Sequence, residues 1–317
     1  MTAPKFEPGY RRLLACGDLA RRSEALEAML GRCTLCPRAC GVDRRTALGE
    51  CLSPAGPVVA SWGPHLGEEP PLSGTLGSGT VFLANCNLRC AYCQNADISQ
   101  RGGTCSSRTP DVESLAGVML DLQARGCHNI NWVSPTHQLP ALVRGLLLAA
   151  RRGLTLPIVY NTNGYDSLAA LALLDGVVDI YLPDLKYADA AIAAALSGAS
   201  DYPRAARAAV AEMHRQLGSE WRVARDGTLQ RGLLVRLLVL PCGLAGVCET
   251  LDWLASEFSP EVAVSLMFQY RPRHLAGAVA GFPELGRTLR RDEAESALAA
   301  LARSNRSPNT LVQRLPA

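Results

Sequence analysis

Short apolar runs alternate with helical stretches along most of the chain after about residue 58. The runs are bounded by glycine, proline or polar residues, as is typical of buried strands. They lie at residues 79–86, 129–135, 156–164, 177–187, 232–242 and 262–270. One intervening helix, which Asp111 can cap, has an apolar face made of Leu115, Val118, Met119 and Leu122. The alternation predicts an α/β fold with a parallel sheet, either a partial barrel or a doubly wound sheet.

The segment before about residue 58 has a different pattern. It shows little apolar periodicity and ends in a stretch rich in proline and glycine. We therefore expect a small cysteine-rich metal-binding module over residues 1–58. A core domain with a C-terminal helical extension should occupy residues 59–317.

Four cysteines in this first segment have the spacing C-x2-C-x3-C-x10-C. They are Cys33, Cys36, Cys40 and Cys51. Four thiolates are enough for a closed site, which could organise a module too small for its own core. The spacing leaves three candidates: zinc, a single iron, or an auxiliary iron–sulfur cluster used in electron transfer.

Composition and charge exclude some classes of protein. The 317 residues are 48% hydrophobic with a formal net charge of +3, and no basic run is interleaved with aromatic residues. We therefore expect no nucleic-acid partner. No apolar run reaches the roughly 18 residues of a membrane helix, and the opening residues do not resemble a secretory signal. We therefore expect a cytoplasmic protein, in which twelve cysteines indicate metal binding or catalysis more than disulfides.

Polar residues follow the predicted strands where each one ends. Because ligands of parallel α/β folds bind at the carboxyl ends of the strands, these residues are candidates for one common site. They lie at positions 86–93, 134–137, 161–164, 183–186 and 240–242.

The first of these groups places Cys86, Cys90 and Cys93 on one loop. Thiolates are the usual ligands of iron–sulfur clusters, and a four-iron cluster normally takes four of them. Three cysteines would leave one iron open to a substrate or cofactor. A zinc site or three buried thiols are the alternatives.

The spacing C-x3-C-x2-C, with Tyr92 before the third cysteine, resembles the signature of radical S-adenosylmethionine (SAM) enzymes. From about residue 33 to residue 270 the chain is similar to the PflX-like branch, which consists of iron–sulfur proteins related to pyruvate formate-lyase activating enzymes. The segments that carry this resemblance are CTLCPRACGVDR, EEPPLSGTLGSGTVF, CNLRCAYCQNADISQ, HNINWVSPTHQLP, LPIVYNTNGY, VDIYLPDLKY and SLMFQY.

The resemblance implies a partial (β/α)6 TIM-like barrel of the radical SAM type. It also implies a [4Fe-4S] cluster on Cys86, Cys90 and Cys93, with SAM as the fourth ligand. The reduced cluster would cleave SAM to a 5′-deoxyadenosyl radical that abstracts hydrogen, with flavodoxin or ferredoxin as electron donor. The residues expected to contact SAM are Tyr92, Ser134, Thr136, Asn161, Thr162, Asp184, Lys186 and Arg236.

The chain departs from glycyl-radical activating enzymes at three places. It has SPTH where they have a GGEP-like turn, Asn161 where a carboxylate is usual, and Cys242 where glycine is usual. The resemblance therefore implies a radical SAM enzyme, with activation of a glycyl-radical enzyme as one expectation. Modification of a peptide or metabolite is the alternative within enzymes, and a non-catalytic metal or electron-transfer protein is the alternative outside them.

Some residues admit two interpretations from sequence alone. Glu68 and Glu69 are either a salt bridge or substrate contact near the cluster, or part of a solvated turn. His137 lies at a strand end, where it could transfer protons or bind substrate. Cys242 and Cys248 are more often buried thiols than radical carriers, and Cys242 is expected to face the pocket.

Overall fold

The computed structural model describes residues 6–100, 111–258, 262–304 and 307–313, so Cys105 lies outside the described residues. The strands are Val59–His65 (β1), Ser78–Leu83 (β2), Ile130–Val133 (β3), Ile158–Thr162 (β4), Ile180–Pro183 (β5), Arg222–Val223 (β6), Leu229–Leu238 (β7), Ala263–Met267 (β8) and Leu311–Val312 (β9). The α-helices are Gly9–Ala15 (α1), Asp18–Ala28 (α2), Pro70–Ser73 (α3), Ala96–Ser99 (α4), Val112–Ala124 (α5), Leu139–Arg151 (α6), Leu168–Ala172 (α7), Ala190–Ser197 (α8), Tyr202–Leu217 (α9), Val247–Glu257 (α10) and Arg291–Ser304 (α11).

The strands form one sheet in the order β1-β2-β3-β4-β5-β7-β8-β9, with β6 beside β7. The six predicted strands are β2, β3, β4, β5, β7 and β8, and every neighbouring pair among them is parallel. The edge strand β1 pairs antiparallel with β2. The α/β fold is confirmed, and its mostly parallel sheet is that of a partial TIM-like barrel.

The predicted helices between the strands are also confirmed. The carboxylate of Asp111 accepts a hydrogen bond of 2.7 Å from the backbone N–H of Ser114 and so caps α5. Helices α5 and α6 pack against each other. Helix α9 ends at Gly218, which has a φ of +71°.

The inner face of the sheet changes character along the strands. Because side chains alternate along a strand, every second residue points inward. Near the amino ends these inward positions form a small apolar cluster that includes Val159, Ile180, Leu234 and Ala263. Nearer the carboxyl ends, the inward positions are occupied by Asn161, Asp184, Arg236 and Ser265. A polar site thus lies above an apolar floor.

Two helices in the first segment were missed by the sequence analysis. Helices α1 and α2 pack on α6. Leu19 and Leu26 are fully buried, and the buried Tyr10 donates a hydrogen bond of 2.9 Å to the carbonyl of Leu156. Arginine and glutamate occupy many positions of both helices, so the apolar face of each helix is short and its periodicity is weak. Among the described residues, no helix is long and apolar enough to cross a membrane.

Candidate functional site: a three-cysteine cavity at the carboxyl ends of the strands

The three cysteines of the loop after β2 face a common cavity of about 290 Å³ at the carboxyl ends of the strands. The cavity also brings together side chains from β3, β4, β5 and β7 that are far apart in the sequence. The predicted residues that line it are Cys86, Cys90, Cys93, Tyr92, Ser134, Asn161, Thr162, Asp184, Lys186 and Arg236. Val133, Leu238 and Met267 supply an apolar part of the wall.

Each of the three sulfur atoms has a polar neighbour. The amide Nδ2 of Asn163 donates to Cys86 Sγ over 3.3 Å. The hydroxyl of Ser197 donates to Cys90 Sγ over 3.0 Å, and Ser99 Oγ lies 3.2 Å from Cys93 Sγ. Asn163 lies within the candidate positions 161–164, whereas Ser99 and Ser197 were missed by the sequence analysis. Such neighbours orient metal-binding thiolates and tune the redox potential of a cluster.

Burial controls the protonation of Cys86 and Cys90. It raises the pKa of Cys86 to about 12, and it also raises the pKa of Cys90, although the nearby Lys186 ammonium opposes the shift at both residues. Without a metal the buried thiols therefore stay protonated at neutral pH. Metal binding must release these protons, because thiolates are the ligand form.

A compact charge cluster faces the cysteine loop across the cavity. Asp184 accepts hydrogen bonds from Lys186 Nζ at 2.6 Å and from Arg236 Nε at 2.7 Å. Arg236 also donates to Asn161 Oδ1 over 2.6 Å. Burial alone would raise the pKa of Asp184, but the two cations hold it below its ordinary value. The site therefore presents two cations and one carboxylate in fixed positions.

Glu68 and Glu69 lie inside the barrel next to this cluster, so the solvated-turn interpretation was wrong. Glu69 is 2% exposed and accepts a hydrogen bond of 3.1 Å from Ser265. Glu68 Oε2 lies 4.0 Å from Arg236 Nη1, and burial raises the pKa of Glu68. Arg236 thus lies between the carboxylate of Asp184, which lines the cavity, and the carboxylate of Glu68, which does not.

Some residues after β3 and β4 line the cavity, and others belong to a hydrogen-bond network behind it. Ser134 has a left-handed backbone with a φ of 54° and lines the cavity, which is the kind of strain that collects at functional sites. Thr136 does not line the cavity. Its hydroxyl lies 2.6 Å from Asp166, a buried carboxylate that also accepts hydrogen bonds from Tyr160 and Thr162. This network supports the cavity from behind, and Asp166 carried no sequence signal that set it apart.

Tyr92 forms part of an aromatic wall beside the cysteines. It is buried and makes edge contacts with Tyr187 and Tyr270 at ring-centroid distances of 6.3 and 5.9 Å. The hydroxyl of Tyr187 lies 2.6 Å from Ser197, the residue that donates to Cys90. The wall shields the cysteine loop on this side.

Two further sequence-based interpretations are corrected. Cys242 is exposed, with its Sγ 3.4 Å from Arg287 Nη2. It lines, with Cys248, a separate cavity of about 470 Å³ and does not line the three-cysteine cavity. His137 is 2% exposed, Nε2 lies 2.9 Å from the Ala84 carbonyl, and burial lowers its pKa to about 4. It packs as a buried neutral ring and does not line the three-cysteine cavity.

The four N-terminal cysteines line a third, narrow cavity. The chain doubles back there through hydrogen bonds from the backbone N–H of Cys33 to the carbonyl of Val42, and from Gly41 to Cys33. In the described ranges, no three His, Cys, Asp or Glu side chains are arranged to hold a single metal ion, at either group of cysteines.

Comparison with known proteins agrees with this geometry. The family model "Radical SAM superfamily" matches residues 80–218, the segment that contains the three-cysteine loop and the charge pair of Asp184 and Lys186. This match assigns residues 80–218 to the radical SAM superfamily, whose members are enzymes that use a [4Fe-4S] cluster and SAM.

Two individual proteins are similar over much of the chain. The uncharacterized protein MJ0674 of Methanocaldococcus jannaschii is 28% identical over 283 residues, which cover 87% of this chain and 75% of that protein. The crystal structure of Streptococcus suis SuiB bound to precursor peptide SuiA superimposes with a TM-score of 0.46 and 12% identity. The match covers 73% of this chain and about half, 47%, of the SuiB chain.

Proposed function

We propose that Cys86, Cys90 and Cys93 hold a [4Fe-4S] cluster and that the adjacent cavity binds SAM. The observation that carries the proposal is the single cavity shared by the three thiols and the cluster of Asp184, Lys186 and Arg236. With both groups bound, the reduced cluster supplies the electron that cleaves SAM to a 5′-deoxyadenosyl radical for hydrogen abstraction. The donor set fits, because thiolates bind iron–sulfur clusters and three of them leave one iron open.

The other cavity residues match the chemistry of SAM. Lys186 and Arg236 are the cations available to its carboxylate. Asp184 and the amide of Asn161 can accept hydrogen bonds from ribose hydroxyls or from the amino group. Val133, Leu238 and Met267 provide apolar wall, and the buried ring of Tyr92 limits the entry of water. The chain's own residues therefore bind, orient and shield the reactants.

As the finer assignment we propose activation of a glycyl-radical enzyme, with a protein as the hydrogen donor. The stretch Asp184, Leu185 and Lys186, which matches the activating enzymes unchanged, supports it. Modification of a peptide or metabolite is the competing assignment, favoured by Asn161 in place of the usual carboxylate and by SPTH in place of the GGEP-like turn. We take flavodoxin or ferredoxin as the electron donor. We also infer a reducing compartment such as the cytoplasm, because both cysteine groups need free thiols.

Electron paramagnetic resonance (EPR) of the anaerobically reconstituted, reduced protein tests the proposed site. We expect a [4Fe-4S]⁺ signal that changes when SAM is added, and we expect the SAM-dependent signal to be lost in Cys90→Ala. The matched control is Cys16→Ala, because Cys16 is exposed and its thiol donates to the Leu13 carbonyl in the preceding helix. A SAM-dependent signal that survives in Cys90→Ala would contradict the proposed ligand set.

A further inference from the structure

The N-terminal cysteine cavity contains a buried positive charge. Arg44 is 2% exposed. Its Nη1 donates to the carbonyl of His137 at 2.9 Å and lies 3.9 Å from Cys33 Sγ, and its Nη2 donates to the carbonyl of Pro54. Its Nε has no hydrogen-bond partner. Carbonyl groups solvate the guanidinium but do not neutralise it.

No carboxylate of the described residues forms an ion pair with Arg44. A buried cation without a counter-charge is costly. Glu50 also lines this cavity, but its carboxylate pairs with Arg38 at 3.1 Å. Cys33 Sγ lies next to Arg44, and the cysteines can supply negative charge there once metal binding has converted them to thiolates. The cavity is therefore complementary to an anionic metal–thiolate centre.

The arrangement of the four thiols distinguishes between kinds of metal centre. A single zinc or iron ion needs its four sulfurs about 2.3 Å from one point, and the described cysteines do not meet at such a point. They surround a cavity instead. Cys86, Cys90 and Cys93 have the same property, and there the superfamily places a multi-iron cluster. Ligands spread around a cavity suit a cluster, whose irons each take one thiolate.

The two cysteine groups lie on loops that contact each other directly. Next to Cys86, the amide of Asn85 donates to the Leu52 carbonyl at 3.1 Å, and the carbonyl of Asn87 accepts from Arg38 Nε at 2.6 Å. Next to Cys90, Arg89 Nη2 donates to the Glu50 carbonyl at 2.6 Å. These bonds join residues that lie within two positions of a cysteine on both loops.

Backbone strain is found at the same places. Ala39, Leu52 and Asn85 are non-glycine residues in left-handed conformation, with φ values of 41°, 58° and 67°. Each is the immediate neighbour of one of these cysteines, namely Cys40, Cys51 and Cys86. Such conformations are costly and persist only where the surrounding structure holds them in place. The backbone beside these three cysteines is therefore held in a fixed conformation.

We propose that Cys33, Cys36, Cys40 and Cys51 hold a second iron–sulfur cluster, which lies against the loop of the catalytic cluster. Buried Arg44 balances its charge, and the bonds of Arg38 and Asn85 fix its position relative to Cys86. The proposal goes beyond SAM cleavage and does not depend on it, because the four cysteines are separate from the catalytic three.

The decisive variant removes the catalytic ligands and leaves the N-terminal ones intact. In full-length Cys86→Ala/Cys90→Ala/Cys93→Ala, anaerobically reconstituted with iron and sulfide, we expect about four irons and four sulfides per chain and a [4Fe-4S]⁺ EPR signal after reduction. Adding Cys36→Ala and Cys51→Ala to this triple variant should abolish both the bound iron and sulfide and the EPR signal. Zinc without iron in the triple variant, or iron that survives the added substitutions, would overturn the proposal.

The contact between the loops has its own readout. In the reduced wild type, two neighbouring paramagnetic clusters should broaden each other's signals, so that the spectrum differs from the sum of two single-site spectra. The single-site proteins are the triple variant above and Cys36→Ala/Cys51→Ala. A wild-type spectrum equal to that sum would refute the proposed adjacency while leaving the metal content as a separate result.

Discussion

The side-chain amide of Asn163 lies 3.3 Å from the Sγ atom of Cys86 and donates a hydrogen bond to it. The same amide group donates to Asn87 Oδ1 at 2.7 Å. The segment after β4 thus holds the cysteine loop after β2, although the two are 77 residues apart in the chain.

This contact predicts the redox behaviour of the cluster. Hydrogen bonds to the ligating sulfurs stabilise the more negative, reduced state. Asn163→Ala should therefore lower the reduction potential of the cluster. A net hydrogen bond of about 1 kcal/mol corresponds to about 40 mV for a one-electron couple. An EPR-monitored redox titration measures the shift, and Asn309→Ala, which alters an asparagine outside the cavity, should leave the potential unchanged.

The charge cluster predicts a loss of both stability and SAM affinity. Asp184→Asn keeps the shape of the side chain but leaves Lys186 and Arg236 without their shared carboxylate. Breaking a buried ion pair costs about 3–5 kcal/mol, so we expect a decrease of about 3 kcal/mol in the free energy of unfolding. SAM binding, measured by calorimetry, should weaken at least tenfold.

The control for this prediction is Asp121→Asn. Asp121 forms an exposed ion pair with Arg125 at 3.4 Å, and such pairs contribute about 0–1 kcal/mol. Equal effects of the two substitutions would show that the charges around Asp184 do not hold the cavity together.

A glycine near the charge cluster predicts a steric effect. Gly164 has a φ of +81°, and a Cβ atom added there would lie 2.5 Å from the carbonyl oxygen of Asp184. Gly227 has a similar φ of +84°, but an added Cβ would meet nothing within 4 Å. Both alanine variants carry similar backbone strain, about 1–2 kcal/mol. Gly164→Ala should therefore lower the free energy of unfolding more than Gly227→Ala does, and it should also weaken SAM binding. Equal losses of stability in the two variants would contradict the predicted clash.

The buried Asp179 predicts a pH dependence. It accepts hydrogen bonds from the backbone N–H groups of Gly9 and Ile158, yet burial raises its pKa to about 7. The folded state therefore binds a proton that the unfolded chain releases near pH 4. The resulting stability is fully present below pH 4 and is lost as the pH rises to 7, by up to about 1.4 kcal/mol per pH unit.

Urea unfolding at pH 5, 6 and 8 measures this effect. The stability of the wild type relative to Asp179→Asn should fall as the pH rises. The same comparison with the exposed Asp252→Asn should show no trend. A wild type that gains stability over Asp179→Asn with rising pH would show that the two backbone donors outweigh burial.

Local pattern was enough to predict the parallel strands and the metal-binding loop. The six central strands are continuous apolar runs, and Cys86, Cys90 and Cys93 lie within eight residues. Contacts between residues far apart in the chain could not be predicted from the sequence. The burial of Glu68 depends on Arg236, which is 168 residues away, and the contact of Ser197 with Cys90 spans 107 residues. Helices α1 and α2 were missed because their stability comes from packing on α6 more than from their own pattern.

The measurement that tests the central claim most directly is the formation of 5′-deoxyadenosine from SAM by the reconstituted, reduced protein. Wild type and Cys16→Ala should form it, and Cys90→Ala should not. Equal product from Cys90→Ala, or none from a wild type whose cluster is intact and reduced, would contradict the account of a radical SAM site on these three cysteines.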